Sequence, residues 1–185
     1  MPSDQTLARS LHDLGAAAWF GGALMGAVGL QGASSAMKDS EERVHVADVG
    51  WQMWQPWKNA AIVLHLIGSL ALLWGNKGRV SAQRGALTTT IAKTSVFAMA
   101  VGADLYAAEL GRRIGEQQPV SVDSAVEPSG ETPEELAATQ RQLRVVQWAV
   151  PALVGSAIVL GAKMGEQQRP TTVLTGVWKR LDPRT

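Results

Sequence analysis

The sequence predicts an all-α fold, an integral membrane four-helix bundle with interfacial amphipathic helices, in one transmembrane domain covering residues 1–185. Three observations predict it. Apolar residues are gathered into four blocks long enough, with their flanks, to cross a hydrocarbon layer of about 30 Å. Tryptophans and basic residues stand at the block ends. Polar residues are confined to two long loops and the tails. The averages hide this pattern, since 46% apolar content and a mean hydropathy of +0.02 describe an ordinary soluble domain.

Span one, about 11–32, is built on Leu14 to Leu30, which carries no charge. Span two, about 57–75, is framed by Trp57 before it and by Asn76 and Lys77 after it. Span three, about 87–110, is the most polar of the four. Span four, about 145–163, opens at Trp148, ends at Lys163 and carries Pro151 in its first turns, where a helix tolerates proline best. Met1 to Ala36 also has a rival reading as a cleaved signal peptide: Arg9 precedes an apolar stretch, and Ala33-Ser34-Ser35-Ala36 resembles a cleavage site.

Between the spans lie loops at 33–56 and 111–144. In the first, Ser40 is a candidate N-cap, and Val44, Ala47, Trp51 and Trp54 recur at helical spacing. This predicts an interfacial helix with Trp51, Trp54 and Trp57 at headgroup level, and Trp74, Trp148 and Trp178 mark the interface elsewhere. In the second, Gly111 to Gly130 has no apolar periodicity and predicts an irregular, mobile segment. Thr132-Pro133-Glu134-Glu135 then predicts a capped helix that starts outside the membrane and runs into span four. The tail 166–185 has an amphipathic stretch, Val173, Val177, Trp178 and Leu181, suited to the inner leaflet. Gly-Glu-Gln-Gln occurs at Gly115 and again at Gly165, which reads as two similar helix exits.

Basic residues set the orientation. The N-terminal tail, the loop with Lys77, Arg79 and Arg84, and the C-terminal tail share one side, which predicts a multi-pass protein of the cell membrane with both termini in the cytoplasm. The net charge of +1, without any basic run longer than two residues, points to no nucleic-acid partner. The absence of cysteine removes disulfides, thiolate metal sites and a cysteine nucleophile.

Within the spans, Ala18, Gly22 and Gly26 form a small-residue stripe that lets another helix approach closely, from this chain or from a second copy. Charged and titratable groups at membrane depth face a bundle interior, a cavity or a partner. His65, Asp104, Lys93, Asp13 and His12 meet that description and are the candidates for interhelical ties or for a proton or cation path. Lys93 and Asp104 share a face of span three but stand about 16 Å apart along it. Counting His65 down from Lys58, and Asp104 down from Glu109, puts both on the order of 10 Å below the outer surface, where they could meet. His12, Asp13 and Lys93 fall toward the inner side, where Asp13 could pair with Lys93. On that arithmetic His12 and His65, the weak metal candidates, are too far apart to hold one iron, so neither haem nor copper is expected, and no cofactor is predicted. No nucleotide loop, zinc-protease motif or nucleophile elbow is present.

The run His12-Asp13-Leu14-Gly15-Ala16-Ala17-Ala18-Trp19-Phe20-Gly21-Gly22 resembles the start of copper-resistance D-type membrane proteins and related uncharacterised bacterial ones. The chain's overall character is similar to uncharacterised actinobacterial four-helix membrane proteins. The resemblance covers one helix of four and implies a bundle of four or more helices and copper handling through His12. From the residues themselves the leading expectation is a non-enzymatic accessory or scaffold subunit, with the lipid bilayer and another membrane protein or a second copy as partners. The alternatives are a small proton- or cation-coupled transporter or channel, and a haem- or copper-handling bundle.

Overall fold

The computed structural model describes residues 2–77, 86–117 and 121–166. Helix α1 (Pro2–Met25) passes through a π-helical turn (Gly26–Leu30) into the short α2 (Gln31–Ser35). Then come α3 (Ser40–Gly75), α4 (Ala86–Glu116), the strands β1 (Val122–Ser124) and β2 (Glu127–Pro128), and α5 (Glu134–Glu166). Among the described residues four helices are long and apolar enough to cross a membrane: Gln5–Ser35, Ser40–Gly75, Leu87–Glu116 and Glu134–Gly165. The expected tail helix and Trp178 lie outside the described residues.

One stripe organises the first helical pair. The buried positions of α3 are Val44, Ala47, Lys58, Ala61, His65 and Gly68, and Trp51 and Trp54 fill the gap at the same alternation of three and four residues. That repeat keeps one face turned toward a neighbouring helix. The neighbour is α1, whose Ala8, His12, Gly15, Trp19 and Ala23 are buried, as is Gly26 of the turn that follows. The two run antiparallel. A Cβ added at Gly15 would stand 2.5 Å from Ala61 O and 2.6 Å from His65 N, and one at Gly68 would collide with the backbone of Ala8 and His12. The backbones therefore touch at this end of the pair. At the other end, Gly22 and Gly26 leave grooves that the rings of Trp54 and Trp51 fill.

Four details differ from the sequence reading. No helix begins at residue 57: α3 is continuous from Ser40, and its Pro56 lies exposed, off the buried stripe. Trp51 and Trp54 pack against the first helical segment at Gly22 and Gly26, whereas Trp57, Trp74 and Trp148 are exposed. Ala18 is exposed, and within the chain the close contacts fall at Gly15 and Gly22 of α1 and at Gly26 of the π-helical turn. The N-cap of α3 is Asp39, whose side chain accepts from Glu41 N at 2.8 Å, one residue before the expected Ser40.

Helices α4 and α5 form the second antiparallel pair, and α1 packs on α5 to join the pairs, while α3 and α4 barely meet. Trp19, Ala23, Ala61, Ala100, Val150 and Val154 make the central core. The segment expected to be irregular folds as a two-stranded antiparallel hairpin, Val122 opposite Pro128 and Ser124 opposite Glu127. It has its own buried cluster with Val44, Ile114 and Leu136. Arg43 donates to Val122 O at 2.8 Å, and Gln140 donates to Ser124 O at 3.0 Å. Thr132 ties the hairpin's end by donating to Ser121 O at 2.7 Å and accepting from Ser129 N at 2.8 Å, and α5 runs unbroken from Glu134. The bundle thus has a hairpin end and a terminal end.

Candidate functional site

Because α3 and α4 barely meet, the bundle is loosely filled along that seam, and two cavities lie there. The one at the terminal end is about 260 Å3 and is lined by His12, Asp13, His65, Thr90, Lys93 and Phe97 among others. The one at the hairpin end is about 430 Å3 and reaches Trp51, Trp54, Lys58, Asp104 and Gln147. Between the two levels, the ring of Phe97 meets Trp19 edge-on at 5.5 Å. Lys93 and Asp104, eleven residues apart on α4, mark the two levels about 16 Å apart.

The terminal-end cluster is a chain of hydrogen bonds. His65 Nδ1 donates to His12 O at 2.8 Å, and its ring stacks on Phe97 at 4.7 Å. A carbonyl only accepts, so the proton of neutral His65 is on Nδ1. His12 Nδ1 donates to Asp13 Oδ1 at 2.6 Å, and Lys93 Nζ donates to His12 Nε2. A neutral imidazole with one donating and one accepting nitrogen fits both partners. Lys93 is half-buried, whereas the Asp13 side chain is 64% exposed. His12 therefore links an enclosed ammonium to a carboxylate in contact with the surroundings.

At the hairpin-end level Lys58 Nζ and Asp104 Oδ2 pair at 2.6 Å, with side chains only 5% and 14% exposed. Two charges withdrawn this far from solvent persist because each neutralises the other. Some residues of this cavity's lining also carry polar atoms without a partner. Gln31 Oε1, Gln147 Oε1 and Trp54 Nε1 are buried without a hydrogen-bond partner, as is Trp19 Nε1 in the core.

Several placements differ from the expectations. His65 does not meet Asp104; its neighbours are His12 and Phe97, and Asp104 pairs with Lys58. The reason is that Lys58 is not at the surface: α3 starts eighteen residues before it, so His65 lies one further 10 Å step down, level with His12. Nor are His12 and His65 far apart, since their ring centroids are 4.2 Å from each other. The two rings are tilted 36° to each other, and both nitrogens of His12 are engaged, by Asp13 and by Lys93. Among the described residues no three His, Asp or Glu side chains gather in a metal-holding group. Asp13 and Lys93 do belong to one cluster, joined through the imidazole. Thr90, Lys93 and Thr94 of the polar face of α4 line the terminal-end cavity, whereas Asp104 lines the other.

No protein-family model, curated protein or solved structure matches this chain. The functional reading therefore rests on the geometry. Lys58, Gln31 and Gln147 are the residues that sequence reasoning passed over. For Lys58 the signal was present: the spacing Val44, Ala47, Trp51, Trp54 continues unbroken to Lys58, Ala61 and His65.

Proposed function

We propose that this chain is a small multi-pass membrane protein that moves protons, alone or coupled to a solute, along the α3/α4 seam. The observation that carries the reading is the His12 imidazole, which bridges the half-buried Lys93 ammonium and the exposed Asp13 carboxylate. A proton passes from Lys93 Nζ to His12 Nε2 while the Nδ1 proton leaves to Asp13 Oδ1, and turning of the tautomer resets the ring. Lys93 is left neutral and is reloaded from the level of Lys58 and Asp104, a step that requires the Trp19–Phe97 contact to part. Buried ionisable groups on two levels of a bundle suit such a relay, because charge at membrane depth is costly unless it serves a path or a partner. The bias of basic residues toward the two tails and the loop with Lys77, Arg79 and Arg84 supports an orientation with both termini in the cytoplasm.

The test is proton flux into vesicles of the purified protein, followed with an enclosed pH-sensitive dye under an imposed gradient. The reading expects flux above that of protein-free vesicles and its loss in His12→Gln. Flux equal to that of empty vesicles under gradients of both directions would overturn it.

A second reading, the accessory subunit, is favoured by one observation. Helix α4 is the least covered of the four by its own chain, with 6% of its most apolar window buried. A partner helix on that face would co-purify in mild detergent at fixed stoichiometry, and a chain isolated alone would count against this reading.

A further inference from the structure

The terminal-end cavity gathers positive charge beside the apolar outside of the bundle. Among the described residues of its lining the fixed charges are two cations, Arg9 on α1 and Lys93 on α4, and one carboxylate, Asp13. The two cations meet on one strip of α5. A Cβ added at Gly161 would stand 3.6 Å from Lys93 Nζ, and one at Gly165, a single turn further on, 3.9 Å from Arg9 Nη1. Both glycines line the cavity, so both charged ends lie along its wall. Neither is sealed in, since Arg9 is exposed and Lys93 half-buried. An ammonium has three donors, and His12 takes one of those on Lys93. The Asp13 carboxylate accepts from His12 Nδ1, and two cations against one carboxylate leave one positive charge in excess. On α3 the same cavity is lined by Leu66, Leu70 and Leu73, which are 42%, 66% and 44% exposed, so its wall continues onto the outer surface of the helix. Asn76, just past the end of α3, also lines it, and at that end Lys77 stands 4.5 Å over the ring of the exposed Trp74. A tryptophan and a lysine at a helix end mark head-group level, and the cavity reaches inward from there.

We propose that an anionic phospholipid docks in this cavity, with its phosphate at Lys93 and Arg9 and an acyl chain along Leu66, Leu70 and Leu73. The head carries a net negative charge because that balances the lining, and an ammonium and a guanidinium hold a phosphate through charge-assisted hydrogen bonds. The occupant is a lipid instead of a free phosphate because the cations adjoin an apolar wall that opens to the outside of α3, which an acyl chain covers and an ion does not. At about 260 Å3 the space is smaller than the sites of drug-sized ligands, which suits a head group whose chains stay in the bilayer. Basic pockets between membrane-spanning helices recur as head-group sites. Lipid binding needs the positions of Arg9 and Lys93 but no proton transfer between Lys93 and His12, so it stands whether or not protons cross the bundle.

The test uses the full chain in a maltoside detergent and reads adducts by native mass spectrometry. The probes are phosphatidylglycerol and phosphatidylcholine with the same chains, and glycerophosphoglycerol, the head of the first without chains. The proposal expects a 1:1 adduct with phosphatidylglycerol about tenfold tighter or more than with phosphatidylcholine, and no adduct with glycerophosphoglycerol at the same concentration. Lys93→Met and Arg9→Gln each weaken the phosphatidylglycerol adduct about fivefold or more, as the loss of one basic group at a membrane surface does. Lys163→Gln, which removes an exposed cation of α5 outside the cavity lining, changes it less than about twofold. Arg9 is exposed, so its variant keeps the test open if Lys93→Met does not fold. Equal binding of the two phospholipids, wild-type binding by Arg9→Gln, or an equal loss in Lys163→Gln would overturn the proposal. Glycerophosphoglycerol bound as tightly as phosphatidylglycerol would overturn it too, and would assign the site to a soluble phosphate ester.

Discussion

Lys58 on α3 and Asp104 on α4 pair at 2.6 Å across a seam where the two helices otherwise barely meet. Removing either partner leaves the other charge buried and alone. Lys58→Met or Asp104→Leu should therefore each cost about 3–5 kcal/mol, while the double variant, with no charge left to bury, should recover most of that loss. Denaturant unfolding of the four proteins in detergent gives the cycle. Single and double losses that simply add would show that the pair does not hold the helices together.

The proton relay makes a graded expectation. Lys93→Met and His12→Gln remove the enclosed donor and the bridging ring, and each should lower flux at least tenfold. Asp13→Asn removes an acceptor that the surroundings can replace, so its loss should be smaller and should be restored by adding formate or another small weak acid. Asp104→Asn strands the Lys58 charge, so its effect on flux is read in the Lys58→Gln/Asp104→Asn double variant. Equal flux in all these proteins would mean that the cluster ties helices and nothing more.

The four helices were legible because apolar blocks of this length with few charges have few other fates. The depth of particular residues was not. Reading Lys58 as a surface marker stopped the helical stripe at Trp54, although Ala61, His65 and Gly68 continue it, and that one step put His65 beside Asp104 instead of beside His12. Pro56 encouraged the break, yet a proline on the exposed side of a helix leaves the packed stripe untouched. The small-residue stripe was legible as packing, but not its occupant, because glycine spacing states that something fits closely and not whether it is backbone or an indole ring.

The glycines of α1 and α3 can be sorted by what an added methyl would meet. At Gly15 and Gly68 it meets backbone, which cannot turn aside, so alanine should lower stability by about 1–3 kcal/mol or more, the cost of an overpacked site. At Gly22 it meets the Trp54 ring, so the loss should be partly relieved by combining Gly22→Ala with Trp54→Leu. At Gly21 and Gly102 nothing lies within 4 Å, and alanine should be neutral or stabilising by up to about 1 kcal/mol, through helix propensity. Melting temperatures in one detergent rank the set. A Gly68→Ala variant as stable as the Gly21→Ala variant would contradict the close approach of α1 and α3.

The hairpin is held by a cluster that the loop composition gave no reason to expect, and it covers the larger cavity, since Ala125 is part of that cavity's lining. Leu136 is fully buried beneath it with Val44, Ile114 and Val122. Truncation to alanine should cost about 2–5 kcal/mol. Arg43 donates to Met37 O at 2.9 Å as well as to Val122 O, which would keep only a longer bond from Ser40 Oγ at 3.4 Å, so Arg43→Ala should cost on the order of 1–3 kcal/mol. Both changes act at the hairpin end and leave the α1/α3 backbone contact intact. Limited proteolysis of detergent-solubilised protein should therefore cut residues 121–133 first and several-fold faster in either variant, with the long helices still resistant. Cleavage there at the wild-type rate would mean that the strands are held by something other than Leu136 and Arg43. Uniform acceleration along the chain would mean that the cluster supports the whole bundle instead of its cap.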